Sequence, residues 1–292
     1  MNNALTVDLE DYYHVTAFRD SVAREHWNAH ESRVERNTDL LLGWFAEAGF
    51  QATFFTLGWV AEQNPALVRR IAEQGHEIAC HSLRHRLVYE MTPEEFREDT
   101  GRAKALLEDV SGKQVYGYRA PSFSITRDSQ WAFEILAELG FTYDSSIFPV
   151  KHVDYGMPHA PRGPFRVQTR FGSIVEFPMP TLSLGSARSP VAGGAYLRLL
   201  PYAYTRWGIR YINRHESLPV CVYLHPWEID TDQPRIRGGL TARIRQYFGL
   251  RGTEVKLRRL LNELEFCSLG SVIDNLGGAS SGPTDVSLSA LF

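Results

Sequence analysis

Strand-like and helix-like segments alternate along the first half of the chain, and this alternation limits its fold more than any other feature. The apolar segment Gln51 to Leu57 is β-like, and the helical pattern that follows begins at Pro65 and ends at Gly75. A further strand precedes a helix that starts with the capping box Thr92-Pro93-Glu94-Glu95. Successive βα units of this kind predict a mainly parallel sheet.

One more unit and the start of the next strand extend the pattern. Val115 to Tyr118 is strand-like, Trp131 to Leu139 is helical, and Phe141 to Tyr143 begins another strand. Helical periodicity returns over Val255 to Leu264. Polar motifs follow several of the strands, which favours a barrel, because barrel enzymes collect their functional groups at the carboxyl ends of their strands.

The length and composition predict one large domain. The chain has 292 residues, of which 43% are hydrophobic, so it can bury a large core. We expect a barrel domain over 1–275, with a loop-rich insertion at about 151–218 that frames a cleft. Residues 276–292 are rich in small and polar residues and are predicted to be a disordered tail.

Charge and hydropathy exclude some classes of partner. The net charge of −3 shows no basic excess, so we expect no nucleic-acid partner. Met1 to Ala4 leads directly into a strand and lacks the features of a signal peptide, and no apolar run reaches the ~20 residues of a membrane span. These features predict a cytoplasmic protein with no integral membrane segment, and they leave its oligomeric state open. Cys80, Cys221 and Cys267 suit reduced thiols better than disulfides.

One candidate metal site combines histidines and acids. His81 and His85 are four residues apart, so on a helical turn they would share a face and could bind one divalent metal. The strand-like segment Leu5 to Asp11 ends in three acids, and a carboxylate with two imidazoles suits Zn²⁺. The alternatives are surface histidines and a solvated acidic turn, and Cys80 is a further possible ligand.

Three more polar segments follow β-like runs, at Arg119–Phe123, Tyr143–Ser146 and Val220–Glu228. Together with the two segments above, they resemble the motifs of the polysaccharide deacetylase family (NodB-homology, carbohydrate esterase family 4) over roughly residues 4 to 230. Some of them resemble more closely the deacetylases of bacterial exopolysaccharide and exosortase loci. The resemblance implies a distorted (β/α)7 barrel of the NodB-homology type.

The resemblance also implies roles for individual residues. Asp8 matches the general base, His225 matches the general acid, and Arg119 matches the arginine that pairs with the base. In the commonest family pattern an aspartate that binds the metal follows the base, but Leu9 occupies that position here. Glu10 is therefore the expected third ligand beside His81 and His85, and Asp11 is the fallback. The expected metal is Zn²⁺, with Co²⁺, Ni²⁺ or Mn²⁺ as alternatives.

Other residues near the motifs are candidates for binding substrate. The backbone N–H of Ser122 is expected to face the developing oxyanion. Aromatic residues near the motifs are candidate platforms for sugar rings, and they are Tyr12, Tyr13, Phe123, Tyr196 and Trp227. Glu228 or Asp230 could tune His225, and Asp144 is expected to cap a turn or line the cleft.

The sequence therefore predicts a metal-dependent hydrolase that removes N-acetyl groups from N-acetylated amino sugars of a bacterial polysaccharide or its precursor. Its predicted partner is an N-acetylated glycan. One alternative is a metal-free amide or ureide hydrolase of the same fold, against which the presence of both His81 and His85 argues. The other is a non-catalytic glycan-binding relative, which is suggested by Leu9 at the position of the usual metal-binding aspartate.

Overall fold

The structure is a computed structural model that describes residues 1–152, 155–185, 187–277 and 283–287. Strands and helices alternate along most of the chain. The strands are β1 (Asn3–Leu9), β2 (Thr53–Thr56), β3 (Glu77–Cys80), β4 (Gly117–Tyr118), β5 (Tyr143–Asp144), β6 (Phe165–Thr169), β7 (Gly172–Glu176), β8 (Thr181–Leu184), β9 (Ala187–Pro190), β10 (Cys221–Leu224), β11 (Phe266–Cys267) and β12 (Thr284–Val286). The helices are α1 (Val34–Ala48), α2 (Gly58–Gln63), α3 (Pro65–Glu73), α4 (Pro93–Ser111), α5 (Ala132–Glu138), α6 (Gly194–Leu199), α7 (Tyr202–Tyr211), α8 (Leu240–Tyr247), α9 (Leu250–Glu263) and α10 (Leu269–Gly277).

A mostly parallel sheet forms the centre of the molecule, as predicted. Its neighbouring strands β10-β1-β2-β3-β4-β5-β7 all run parallel. Beyond them β6 pairs antiparallel with β7, and β12 pairs parallel with β6. Hydrogen bonds among the described residues leave β10 and β12 as opposite ends of this path. The α/β class with a mainly parallel sheet is confirmed.

The parallel arrangement brings the polar motifs to one edge of the sheet. Asp8 lies at the end of β1, His81 directly follows β3, Arg119 directly follows β4, and His225 directly follows β10. Strands β1, β2, β3 and β10 are almost wholly buried, so their apolar side chains form the core beneath this edge. Side chains that leave the core at the strand ends therefore converge above it.

Two predicted helix starts are present, but only one of them has a side-chain cap. Thr92 and Glu95 form the predicted capping box at the start of α4: Thr92 Oγ1 accepts from the Glu95 N–H, and Glu95 Oε2 accepts from the Thr92 N–H at 2.9 Å. Asn64 precedes α3 as predicted, but its side chain donates to the Val60 carbonyl and caps nothing. The carbonyl is available because α2, which the sequence reading missed, ends immediately before α3.

Residues 151–218, predicted as long loops, contain strands β6 to β9 and helices α6 and α7. The strands pair locally, β6 with β7 and β8 with β9, so they do not need the long apolar runs on which sequence reading depends. Glycine is required at Gly193, where φ is +94° and a Cβ atom would lie 2.1 Å from the Tyr223 ring.

The predicted tail is partly ordered. Residues 276 and 277 end α10 and residues 284–286 form β12, while 278–282 and 288–292 lie outside the described residues. The division into a domain at 1–275 and a tail remains a prediction.

Within the described ranges no helix has both the length and the apolar character to cross a bilayer. Cys80 and Cys221 are buried free thiols, and Cys267 is a partly buried one.

Replacing Thr92 with alanine removes the side-chain acceptor at the start of α4. We expect Thr92→Ala to lower the free energy of unfolding by about 1 kcal/mol, which is the usual value of such a cap. Urea unfolding followed by circular dichroism measures this change. Thr92→Ser keeps the hydroxyl and should remain close to the parent protein; an equal loss in both variants would contradict the capping role.

Candidate active site

Three buried side chains form a cluster that could hold a metal ion. One ligand atom each from Glu10, His81 and His85 lies within 4.8 Å of the other two. The His85 Nε2 and Glu10 Oε2 atoms are 2.9 Å apart. A cluster of two imidazoles and one carboxylate fits the donor set of a catalytic zinc site, which leaves a position open for water or substrate.

A loop, and not a helix, brings the two histidines together. His81 and His85 follow β3 in an irregular segment in which Ser82 and His85 have φ values of +66° and +52°. The expectation of a shared helical face was therefore wrong, yet the ring centroids are only 5.3 Å apart. Two hydrogen bonds fix this loop: the Ser82 Oγ accepts from the His85 N–H at 3.0 Å, and Asp99 Oδ2 accepts from the Leu83 N–H at 2.8 Å.

The tautomer of His81 is set by the backbone. Its Nδ1 lies 2.8 Å from the carbonyl oxygen of Arg119, which can only accept, so Nδ1 carries the proton and Nε2 keeps its lone pair. Burial lowers the pKa of His81 to about 4. The imidazole is therefore neutral at pH 7, which is the form that binds metals.

Asp11, the fallback ligand, accepts hydrogen bonds from the start of α1 instead of joining the cluster. Its Oδ2 accepts hydrogen bonds from the backbone N–H groups of Arg33 and Val34 and from the Ser32 hydroxyl, and its Oδ1 accepts from the Tyr12 N–H. The carboxylate thus fastens the start of α1 to the end of β1. The geometry favours Glu10 as the carboxylate of the cluster.

Asp8 is held by a buried arginine, as the resemblance implied. Arg119 Nη1 lies 2.6 Å from Asp8 Oδ1, and the guanidinium is fully buried. The second carboxylate oxygen of Asp8 lies 3.8 Å from His225 Nε2. A guanidinium at this distance fixes the orientation of the carboxylate.

A second series of buried charged side chains is in contact with His225. Its Nδ1 lies 3.0 Å from Glu228 Oε2, and Glu228 Oε1 lies 2.6 Å from Arg198 Nε. Of the two candidate partners of His225, Glu228 is therefore the one in contact. Asp230 instead accepts from Asn37 and lies 3.5 Å from Arg36. Sequence reasoning missed Arg198, because no motif surrounds it.

These contacts shift the pKa values of the pair. Burial disfavours the charged imidazole, but the hydrogen bond and the charge of Glu228 outweigh burial and raise the pKa of His225 to about 9. Burial likewise opposes ionisation of Glu228, but the charge of Arg198 and the contact with His225 lower its pKa to about 2. His225 is therefore a cation at neutral pH.

The cluster lies at the bottom of an open cleft of about 420 Å³. Ser122 and Phe123 line its wall in left-handed backbone conformations, with φ values of +52° and +55°. Ser122 is tied to the other wall, since its Oγ lies 2.8 Å from Thr16 Oγ1. Tyr196 is not among the lining residues; its hydroxyl lies 3.1 Å from that of Tyr155, which does line the cleft.

The other aromatic candidates are buried. Trp227 is only 4% exposed, stacks on His225 with a centroid distance of 4.9 Å, and directs its Nε1 at Glu10 Oε1 over 3.3 Å. It lines the cleft, but it packs against the charged groups and offers a sugar little open face. Tyr12 and Tyr13 are buried in the core and are therefore not available to stack on a sugar.

Some supporting residues could have been found from the motifs. Asp144 caps a turn, as one of the two predictions had it, because it accepts from the hydroxyl of Ser146 at 2.6 Å and from its N–H. Ser145 accepts from the guanidinium of Arg119 through both its carbonyl and its hydroxyl. Glu176, whose carboxyl is buried beside Asp144, lies within the predicted loop-rich insertion, where no motif marked it.

Separate substitutions of the two neighbouring acids distinguish a ligand from a cap. We expect Glu10→Gln to lower the affinity for Zn²⁺ or Co²⁺ by at least tenfold, because it removes an anionic ligand from a buried site. Asp11→Asn should keep the metal but lower thermal stability, since the backbone N–H groups of α1 lose a carboxylate acceptor. Titration calorimetry with each metal and thermal unfolding measure both quantities. Metal loss in Asp11→Asn alone would reverse the assignment.

Comparison with known proteins relates the chain to deacetylases. Residues 27–143 match the family model described as polysaccharide deacetylase, and residues 145–274 match a domain of unknown function, DUF3473. A peptidoglycan deacetylase-like protein of Gibberella zeae is 28% identical over 44% of this chain and 41% of its own length. A peptidoglycan-N-acetylglucosamine deacetylase of Bacillus cereus is 31% identical over 33% of this chain and 36% of its own length. The chain thus matches less than half of the length of these relatives.

Solved structures share the fold at low sequence identity. A Mycobacterium smegmatis protein assigned to the polysaccharide deacetylases aligns with a TM-score of 0.65 and 19% identity, covering 98% of this chain and 94% of its own. A Pseudomonas aeruginosa protein with the same assignment aligns with a TM-score of 0.60 and 15% identity, covering 84% and 74% respectively. These alignments support the fold.

Proposed function

The chain belongs to the polysaccharide deacetylase family (NodB-homology, carbohydrate esterase family 4), and we propose that it is a metal-dependent N-deacetylase. Its proposed substrate is an N-acetylated amino sugar within a bacterial polysaccharide or its precursor. The observation that carries the proposal is the buried cluster of Glu10, His81 and His85, with Asp8 and His225 beside it at the bottom of one cleft.

Hydrolysis of an N-acetyl group needs an activated water, a polarised carbonyl and a proton for the departing nitrogen. A divalent cation held by Glu10, His81 and His85 would supply Lewis acidity and make water more acidic. The three side chains fit this group, since they are buried, one ligand atom of each lies within 4.8 Å of the other two, and His81 is fixed in the tautomer that ligates through Nε2.

Asp8 is proposed to accept the proton of the attacking water. Arg119 holds its Oδ1, which leaves Oδ2 directed toward His225 and the cluster. The carboxylate cannot turn away, because the guanidinium that holds it is itself fixed by Thr6 and Ser145. A base held in this way loses little conformational entropy when the substrate binds.

His225 is proposed to protonate the leaving amine. Its Nδ1 faces Glu228, so the Nε2 proton is the one available to a substrate in the cleft. Nε2 lies 3.8 Å from Asp8 Oδ2 and 3.6 Å from Glu10 Oε1, so the proposed acid and base face the same region of the cleft. The backbone N–H of Ser122 is the proposed donor to the oxyanion.

The non-catalytic, glycan-binding alternative was based on Leu9, and the position of Glu10 removes the reason for it. Leu9, which replaces the usual metal-binding aspartate, is fully buried in the core, and Glu10 contributes the carboxylate of the cluster instead. Retention of both histidines in that cluster likewise speaks against a metal-free hydrolase. Substrate identity within the amino sugars remains part of the proposal.

Release of acetate from N-acetylglucosamine oligomers and from bacterial polysaccharide tests the reaction. We expect activity to disappear on chelation and to return with Zn²⁺, Co²⁺ or Mn²⁺. Asp8→Asn should lower kcat by at least a hundredfold while the metal stays bound, because the base is lost and the ligands are kept.

A matched control is His215→Asn, which removes an exposed histidine outside the cluster and should change neither metal content nor rate. His85→Asn should remove both. Metal-independent acetate release, or full activity in Asp8→Asn, would refute the proposed mechanism.

The contact between His225 and Glu228 predicts a pH dependence. Glu228 raises the pKa of His225 to about 9, so the protonated acid persists to alkaline pH, and activity should fall as pH rises through that range. Glu228→Gln removes the charge, so the alkaline limb of kcat/KM should move to lower pH by at least one unit. The position of the limb is the readout, because a folding defect changes amplitude and not position. An unmoved limb would exclude this tuning.

A further inference from the structure

Helix α8 carries an exposed apolar ridge. Leu240, Ile244 and the residue directly after the helix, Phe248, are 72%, 48% and 62% exposed. They are spaced by four residues, so their side chains lie on one face of the helix. Solitary exposed apolar residues are common, but three in a row on one short helix form a patch that calls for a binding partner.

Arginines lie close to this ridge in the sequence. Five exposed arginines lie between residues 233 and 253, and no aspartate or glutamate occurs in that stretch. They are Arg235, Arg237, Arg243, Arg245 and Arg251. The whole chain has a net charge of −3, so this segment is strongly basic within an acidic protein. An apolar ridge with arginines beside it is the pattern of helices that lie in the interface of an anionic bilayer.

The opposite face of α8 forms part of the cleft. Ala242, Arg245 and Gln246 line the cleft that contains the metal cluster. The end of the helix is fixed to the site by Arg198, whose guanidinium donates to the carbonyls of Arg245 at 2.6 Å and Phe248 at 2.8 Å. The same guanidinium pairs with Glu228. The ridge therefore has a fixed position beside the cleft.

We propose that the apolar ridge of α8 and its arginines dock the protein on the surface of a bilayer that contains anionic lipids. Leu240, Ile244 and Phe248 insert at the level of the headgroups, and the nearby arginines outside the cleft contact the lipid phosphates. Docking in this orientation holds the cleft next to the membrane surface. It would bring the cleft to glycans that are attached to lipids.

The charge distribution favours this occupant over a second copy of the chain. In a twofold symmetric dimer each patch meets its own copy, so the arginines of one chain would face those of the other. Like charges in such an interface are repulsive, whereas lipid phosphates are complementary. The docking does not require the proposed reaction, and the two can be tested separately.

Vesicle flotation tests the docking. The full chain should bind vesicles of equal parts phosphatidylcholine and phosphatidylglycerol, and binding should weaken sharply between about 0.1 M and about 1 M salt, as the Debye length falls from ~10 to ~3 Å. Vesicles of phosphatidylcholine alone should bind at least tenfold more weakly. Ile244→Ser/Phe248→Ser should lower the partition coefficient at least tenfold, and Arg237→Gln/Arg243→Gln should lower it roughly 30-fold.

Matched controls replace an exposed apolar residue and two exposed arginines outside the ridge. Val255→Ser replaces a residue that is 60% exposed on α9, and Arg69→Gln/Arg127→Gln removes two exposed arginines outside α8. Both controls should bind vesicles like the parent protein. Circular dichroism and thermal unfolding establish that all variants are folded.

Three outcomes would overturn the proposal. The first is the absence of parent binding to phosphatidylglycerol vesicles. The second is an equal loss of binding in the control and ridge variants. The third is a dimer in sedimentation velocity that Ile244→Ser/Phe248→Ser dissociates, without binding to vesicles. Acetate release from soluble oligomers is scored separately, so a failed deacetylase assay leaves the vesicle result intact.

Discussion

The candidate site depends on one buried guanidinium. Arg119 is fully buried, and its five N–H donors meet five acceptors: the Thr6 hydroxyl, Asp8 Oδ1, the Ser145 carbonyl and hydroxyl, and Cys221 Sγ. An unpaired buried charge is very costly, so these groups must be in place together when the chain folds. Because they come from β1, from β10 and from the segment after β5, the pairing that stabilises the charge also sets the positions of the strand ends.

A second buried guanidinium, that of Arg198, holds the groups around His225. Arg198 pairs with Glu228, which contacts His225, and it also donates to the carbonyls at the end of α8. Asp8 is therefore held by one arginine and His225 is held indirectly by another. The difference in partner matches the opposite proposed tasks: a guanidinium fixes the carboxylate of Asp8, whereas the carboxylate of Glu228 favours a protonated His225.

The sequence predicted the parts of the fold and site that depend on local patterns. The βα units and the capping box of Thr92 followed from periodicity and motif, and the resemblance named the three residues that the structure brings together in one cluster, Glu10, His81 and His85. The loop of His81 and His85 was mistaken for a helical turn, since spacing alone cannot distinguish a helix from a loop with positive φ values at Ser82 and His85. Arg198 had no local signal, because its partners lie 30 to 50 residues further along the chain. Only tertiary packing brings them together.

The candidate site also crosses the boundaries of the matched family models. The polysaccharide deacetylase match covers residues 27–143, and therefore includes His81, His85 and Arg119 but neither Asp8 nor His225. The match to the domain of unknown function covers residues 145–274 and includes His225. This second region also contains Arg198 and α8, so it contributes both the charges that tune His225 and the wall of the cleft. It is physically a part of the site, because separating it would leave Arg119 without Cys221 and Asp8 without its facing imidazole.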